Sequence, residues 1–208
     1  MSLSMSMLGI VVSLLLANPA AATRYTWVFD IEPEQVTPDG SGSTGSGQAW
    51  LYYDTLTDHL QVNIAWSVLE ADLSAIHIHG PALPGQSSRT HLVDIFSDAS
   101  AIPSELDRRT DFYQAVVHLF TPHSGGSSHN HGGVPTGIPP EDALAAMVAE
   151  EAYILLHSDD AVFFGGELRG QLALTETLIP EPGTATLMAL GLIGLALRSR
   201  PVRFALFR

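Results

Sequence analysis

The chain contains no cysteine and no lysine among its 208 residues. Without thiol groups it forms no disulfide bond and offers no thiolate as a nucleophile or metal ligand. Its nine basic residues are all arginines and stand against 22 acidic residues, which gives a formal net charge of -13. Residues 23–180 carry five of those arginines and 21 of the acidic residues, so phosphate backbones and anionic lipid surfaces would repel this part. We therefore exclude nucleic-acid binding.

Residues 1–22 have the features of an export signal. Residues 8–17 form an uncharged apolar run, and three alanines at 20–22 supply the small side chains of a cleavage site. The first seven residues carry no lysine or arginine, which departs from the positive start of most such signals. The sequence predicts a signal helix that is removed after Ala22; the alternative is a buried helix.

The body, residues 23–176, consists of short segments with strand character separated by polar turns. Strands are predicted at residues 24–31, 48–53, 59–68, 73–79, 91–96, 114–120, 152–157 and 167–175. A short helix is predicted at residues 141–151, because two prolines precede acidic residues in its first turn. The brief loop between the second and third strands predicts an antiparallel hairpin. The pattern predicts an all-β, antiparallel sandwich or barrel with one short helix.

Two histidines lie on one predicted strand, within the sequence AIHIHGP of residues 75–81. Side chains alternate along a strand, so His77 and His79 share one face, about 7 Å apart. A third histidine, His157, ends another predicted strand. Three imidazoles with an open coordination position suit Zn or Cu. The alternative is that these histidines pair with carboxylates or carbonyls and only shape the sheet.

Glu167 and Arg169 stand two residues apart on the last predicted strand, so they are expected to share a face. An arginine fork binds a carboxylate through two hydrogen bonds, which predicts an internal ion pair. Alternatively, Glu167 accepts a hydrogen bond from His77 or His79 and orients it. No nucleophile or acid pair occurs at a recognisable spacing, so we assign no catalytic residue and predict that the protein is not an enzyme.

A second group of histidines lies in a segment rich in glycine and serine, at positions 118, 123, 129 and 131. Such a segment either binds Zn, Ni or Cu loosely or forms a solvated loop. It belongs to a stretch of about residues 97–139 that is predicted to be an insertion in the β-domain.

The final segment, residues 177–208, differs in character from the body. Pro180, Glu181 and Pro182 are followed by thirteen uncharged, mostly apolar residues at 185–197 and then by Arg198 and Arg200. A full bilayer span needs about 20 apolar residues, so this run is short. Positive residues stay on the cytoplasmic side. The pattern predicts a C-terminal transmembrane helix with residues 23–180 outside the cytoplasm.

The order of PEP motif, apolar run and arginines resembles a PEP-CTERM sorting signal. This resemblance implies an exosortase-type transpeptidase as a partner and anchoring in the inner membrane before sorting. It also implies a Gram-negative envelope, with a final place on the outer surface or in an extracellular matrix. Exopolysaccharide or matrix proteins are the further partners that it suggests.

The body resembles the chordin-type, or CHRD, domain. The resemblance depends chiefly on AIHIHGPA at residues 75–82, AYILLH at 152–157 and GELRGQL at 166–172. It implies an immunoglobulin-like β-sandwich or barrel. Together, the observations predict an exported CHRD-domain protein that acts as a structural or interaction module. The alternative is a Cu- or Zn-binding, or redox, β-sandwich protein that uses His77, His79 and His157.

Overall fold

The computed structural model describes residues 22–119, 137–163 and 165–179. In it, the segments with alternating apolar and polar side chains form extended strands. Within these ranges lie nine strands and one α-helix. They are β1 (Arg24–Ile31), β2 (Ser46–Asp54), β3 (His59–Ser67), β4 (Leu73–His79), β5 (His91–Phe96), β6 (Asp111–His118), α1 (Pro140–Val148), β7 (Tyr153–Ser158), β8 (Leu168–Gln171) and β9 (Leu174–Leu178).

The strands form two sheets. One sheet has five strands in the order β6-β3-β2-β1-β9, and the other has four in the order β5-β4-β7-β8. Every paired strand is antiparallel to its neighbour, including the predicted β2–β3 hairpin. The predicted all-β class with a short helix is therefore confirmed for the described residues, whereas the immunoglobulin-like arrangement stays a prediction.

Both sheets contribute to one hydrophobic core. Trp27 and Ile64 come from the five-stranded sheet, Ile76 and Ile154 come from the four-stranded sheet, and all four are buried. The helix α1 is fixed to this core by Met147, whose carbonyl accepts a hydrogen bond of 3.1 Å from Trp27 Nε1. Side chains on the outer face of the four-stranded sheet are thus separated from the core by the sheet itself.

The prediction of a single last strand over residues 167–175 is wrong. The segment contains two strands that belong to different sheets, since β8 pairs with β7 and β9 pairs with β1. Between them Leu172 is buried, and its N–H donates to the Ala152 carbonyl at 2.9 Å. The chain can pass so close to β1 because residue 170 is glycine: a Cβ there would lie 2.6 Å from the carbonyl oxygen of Asp30.

Part of the predicted insertion is a strand of the domain. β6 runs from Asp111 to His118, somewhat earlier than the predicted residues 114–120, and pairs with β3 along its length. His118 lies beside His59, with ring centroids 4.5 Å apart. His123, His129 and His131 lie outside the described residues.

The two end segments also lie outside the described residues. These are the predicted signal of residues 1–22, apart from Ala22, and the sorting segment with Pro180, Glu181, Pro182, Arg198 and Arg200. Within the part of the chain that is described, no helix is both long and apolar enough to cross a membrane. The transmembrane helix predicted from residues 185–197 is outside that part.

Candidate metal centre

Strand β4 places its isoleucines and histidines on opposite faces. Ile76 and Ile78 are fully buried in the core. His77 and His79 lie on the outer face of the four-stranded sheet, where they are only 5% and 4% exposed. The strand ends at His79, and at the following Gly80 a Cβ would lie 2.6 Å from Leu92 Cδ1 and 2.7 Å from the carbonyl oxygen of Glu151, which precedes β7. The alternation inferred from the sequence therefore gives the two histidines their positions.

The neighbouring strands add two more imidazoles on the same face. His91 of β5 is the register partner of His79, and His157 of β7 is the register partner of Ala75. The ring centroid of His77 lies 5.6 Å from that of His79, 5.2 Å from that of His157 and 3.9 Å from that of His91. We call these four residues the histidine cluster. The structure thus brings together the three histidines selected from the sequence.

Ring nitrogens of the three predicted residues face a common space. His77, His79 and His157 each offer a nitrogen atom, and these atoms lie within 4.8 Å of one another. A tetrahedral zinc ion, with Zn–N bonds of about 2.0–2.1 Å, holds its nitrogen ligands about 3.4 Å apart. Side-chain rotations that move each ring nitrogen by about 1 Å therefore bring the three donors to bonding distance from one ion.

Four nitrogen atoms of this group are buried without a hydrogen-bond partner. They are both ring nitrogens of His77 and the Nε2 atoms of His79 and His157. A buried polar atom without a partner costs about 1–3 kcal/mol. Such atoms call for a specific explanation in a well-packed fold, and a cation that accepts their lone pairs supplies one.

The ring of His79 has a fixed orientation. Its Nδ1 atom lies 3.1 Å from the carbonyl oxygen of Ser88, which also accepts a hydrogen bond of 2.8 Å from the Tyr153 hydroxyl. Because a carbonyl oxygen only accepts, Nδ1 carries the proton and Nε2 carries the lone pair in the neutral ring. The Tyr153 ring stacks on His79 with centroids 5.3 Å apart. A second hydrogen bond of this type commonly orients a metal-binding histidine.

The three rings are neutral at physiological pH. Burial, followed by the charge of the neighbouring His91, lowers the pKa of His77 to about 4. Burial, followed by the charges of the surrounding histidines, lowers the pKa of His79 to about 3. Burial, followed by the charges of His77 and His91, lowers the pKa of His157 to about 4. Metal binding requires neutral imidazole, and this site supplies it without removing a proton near pH 7.

A second set of donors shares His77. It consists of His77, His91 and Asp94. His91 Nδ1 lies 3.0 Å from Asp94 Oδ1, and His77 Nε2 lies 3.7 Å from the same oxygen. Sequence reasoning missed His91 and Asp94, although it placed both on the correct strand. Only the knowledge that β5 lies next to β4 would have revealed them.

The structure does not join Glu167 and Arg169 in the predicted ion pair. Glu167 precedes β8, and its Oε1 atom accepts hydrogen bonds from Ser43 Oγ at 2.7 Å and from the Glu70 N–H at 2.6 Å. These hydrogen bonds tie it to the loop at residue 43 and to the β3–β4 connection, and neither involves Arg169. Neither His77 nor His79 donates to it in the described structure. Glu167 therefore anchors loops, and Arg169 has a separate environment.

Two family models match the chain, whereas no curated protein and no solved structure matches it. The shorter match is to the PEP-CTERM protein-sorting motif, over residues 178–200. This motif implies export through an envelope of the Gram-negative type and processing by an exosortase-type enzyme.

The longer match is to the CHRD domain, over residues 28–172. It covers β1 to β8 and includes every member of the histidine cluster as well as Arg169. The resemblance inferred from the HIHGPA and GELRGQL sequences is thereby confirmed, and the chain belongs to the CHRD-domain family.

Proposed function

We propose that this exported protein carries a binding module whose ligand is a transition-metal ion, held by His77, His79 and His157. The observation that carries the proposal is the convergence of three imidazoles, those of His77 and His79 buried and that of His157 half-buried, with four buried nitrogen atoms that lack a hydrogen-bond partner among the described residues. Hydrogen-bonded structural histidines, the alternative from the sequence, would have partners for those atoms. Among the buried ring nitrogens of the three residues, Nδ1 of His79 has a hydrogen bond of this structural kind to Ser88, and the ring of His77 also interacts with the Ser97 backbone.

Copper and zinc are the ions that the donor set favours. Imidazole is a borderline ligand that suits Zn, Cu, Fe and Ni, whereas Mg and Ca prefer oxygen donors. Three protein ligands leave at least one position for a further donor. His91, whose ring stacks on His77, is the nearest additional imidazole.

Metal analysis of the full chain tests the proposal. The protein is purified in mild detergent, stripped with EDTA, dialysed and titrated with Zn²⁺ or Cu²⁺ by calorimetry. We expect about one ion per chain with micromolar or tighter affinity. The double variant His77→Ala, His79→Ala should lose this binding. The matched control is His59→Ala, His118→Ala, which removes a histidine pair from the other sheet and should bind as the wild type does.

A folded, stripped wild-type protein that takes up neither ion would overturn the proposal. So would equal loss of binding in the two double variants, because that result would indicate non-specific histidine binding. Circular dichroism of each variant establishes that the sheets are intact before the titration.

We further propose that the module acts at the cell surface or in the extracellular matrix, as a structural or interaction component after its release from an inner-membrane anchor. The PEP-CTERM match supports this location, and exopolysaccharide or matrix proteins are the expected partners. An epitope inserted in the exposed loop at residue 85, followed by cell fractionation with and without the exosortase, tests it. Uncleaved protein in the cytoplasm of exosortase-containing cells would contradict it.

A further inference from the structure

A cavity of about 480 Å³ lies beside the histidine cluster on the outer face of the four-stranded sheet. Its lining includes two arginines, Arg89 and Arg169, together with Tyr153 and Thr37, and no aspartate or glutamate lines it among the described residues. Residues 23–180 hold only five arginines against 21 acidic residues. The cavity thus gathers two of five cations in a domain whose surface is otherwise strongly acidic.

Arg169 is a buried cation without a carboxylate partner. It is 1% exposed. Its Nη1 donates to Thr37 Oγ1 at 3.3 Å and its Nη2 donates to Gln171 Oε1 at 2.9 Å, so both partners are neutral. Its Nε atom has no hydrogen-bond partner. No ion pair within 4.0 Å involves Arg169 among the described residues.

The position of Arg169 is set by the sheet and not by a counterion. In β8 it is the register partner of Leu155, and its guanidinium carbon lies 3.7 Å above the Tyr153 ring. An aromatic face partly offsets the loss of hydration of a guanidinium. It does not replace an anion, because a buried charge without an opposite charge is strongly unfavourable. Arg89, which is exposed at the opening, adds a second positive charge to the same space.

We propose that this cavity binds the anionic oxygen group of a small molecule, a carboxylate, phosphate or sulfate, with Arg169 as its buried counterion and Arg89 at the rim. A guanidinium binds such groups in preference to neutral ones, because its planar fork of donors matches their oxygens. The volume lies in the range of small-ligand sites. The proposal does not depend on a bound metal, although His79, His91 and His157 also border the cavity.

The test uses the EDTA-stripped full chain, so that a metal cannot supply the anion site. Succinate, inorganic phosphate and sulfate are titrated at about pH 7.5 by calorimetry, and succinamide serves as the uncharged match to succinate. We expect saturable binding of at least one of the three anions, a rise in the melting temperature with that anion, and neither effect with succinamide. Which anion binds most tightly identifies the ligand class.

Variants separate a built site from a general charge effect. Arg169→Gln should weaken anion binding at least tenfold, and Arg89→Gln, at an exposed position, should weaken it several-fold. The control Arg109→Gln removes an exposed arginine that pairs with Asp72 elsewhere and should leave binding unchanged. If Arg169→Gln does not fold, the comparison of Arg89→Gln with Arg109→Gln decides.

Two results would overturn the proposal: no saturable binding of any of the three anions to folded wild-type protein, or equal weakening in the Arg89 and Arg109 variants. Anion binding that persists in the His77→Ala variant, which changes no residue of the cavity lining, supports it. This variant also distinguishes the two sites, since failure of metal binding leaves the result at Arg169 unaffected.

Discussion

Acidification is expected to destabilise the metal-free protein well before its carboxylates become protonated. The folded-state pKa values of His77 and His79 are lowered from 6.5 to about 4 and about 3, chiefly by burial. The unfolded chain therefore binds protons near pH 6.5, whereas the folded chain does so only near pH 3–4. Linkage requires that the free energy of unfolding decreases with decreasing pH wherever the unfolded state binds more protons than the folded state. Stability is thus fully present above about pH 6.5 and is lost as the pH falls toward the folded values.

The size of the stability loss depends on how far the pH lies below the pKa of the histidines in the unfolded chain. Each pKa unit corresponds to about 1.4 kcal/mol, so at pH 5 each of the two histidines removes about 2 kcal/mol of stability. Together they remove about 4 kcal/mol, and His157, with its pKa lowered to about 4, adds a loss in the same direction. Total stabilities of domains are about 5–15 kcal/mol, so this loss is large enough to measure with confidence.

The assay is urea unfolding of the EDTA-stripped protein at about pH 7.5 and about pH 5. The control is His77→Gln, His79→Gln, in which neutral amides replace the two imidazoles and most of the pH dependence should disappear. A wild-type free energy of unfolding that changes by less than about 1 kcal/mol between the two pH values would refute the reasoning. It would mean that the rings are protonated or hydrated in the folded protein.

Three further predictions concern the scaffold. Ile78→Ala should lower the free energy of unfolding by about 2–5 kcal/mol in urea, because a fully buried side chain leaves a cavity between the sheets. Gly170→Ala should lower the free energy of unfolding by about 1–3 kcal/mol and displace β8 from β1, since its Cβ would lie 2.6 Å from the Asp30 carbonyl oxygen. Thermal unfolding measures this loss, and an unchanged melting temperature would show that β8 and β1 can separate without a loss of stability. Glu167→Ala should also destabilise the fold, because the buried Ser43 hydroxyl and the Glu70 N–H lose their acceptor at 2.7 Å and 2.6 Å, yet leave metal affinity unchanged in calorimetry. A matching loss of metal affinity would instead restore the histidine-orienting role inferred from the sequence.

The residues of β4 could be predicted from the sequence because their placement is a local property. Alternation along a single strand fixes which side chains share a face, and two isoleucines identify the buried one. That is sufficient to place His77 and His79 together. Placing His157 beside them requires β7 to lie next to β4, which alternation along a single strand does not show.

The remaining features depend on the order of strands, which no local pattern contains. His91 joined the cluster because β5 is the other neighbour of β4, and Asp94 followed with it. Glu167 and Arg169 illustrate the opposite case: close spacing in the sequence predicted an ion pair, but β8 begins only after Glu167 and the two side chains have different partners. The cavity at Arg169 is likewise lined by segments that lie far apart in the sequence, from residue 37 to residue 169.

The donors of the histidine cluster come from strands that begin at residue 73 and end at residue 158, and Arg169 follows on a fourth strand. During synthesis from the amino end, His77 and His79 are therefore made long before His157, the third of the three proposed ligands. The site can form only when about three quarters of the 208 residues are present, because His157 completes it. A metal ion would accordingly bind late in folding, and it would come from the solution that surrounds the folded protein.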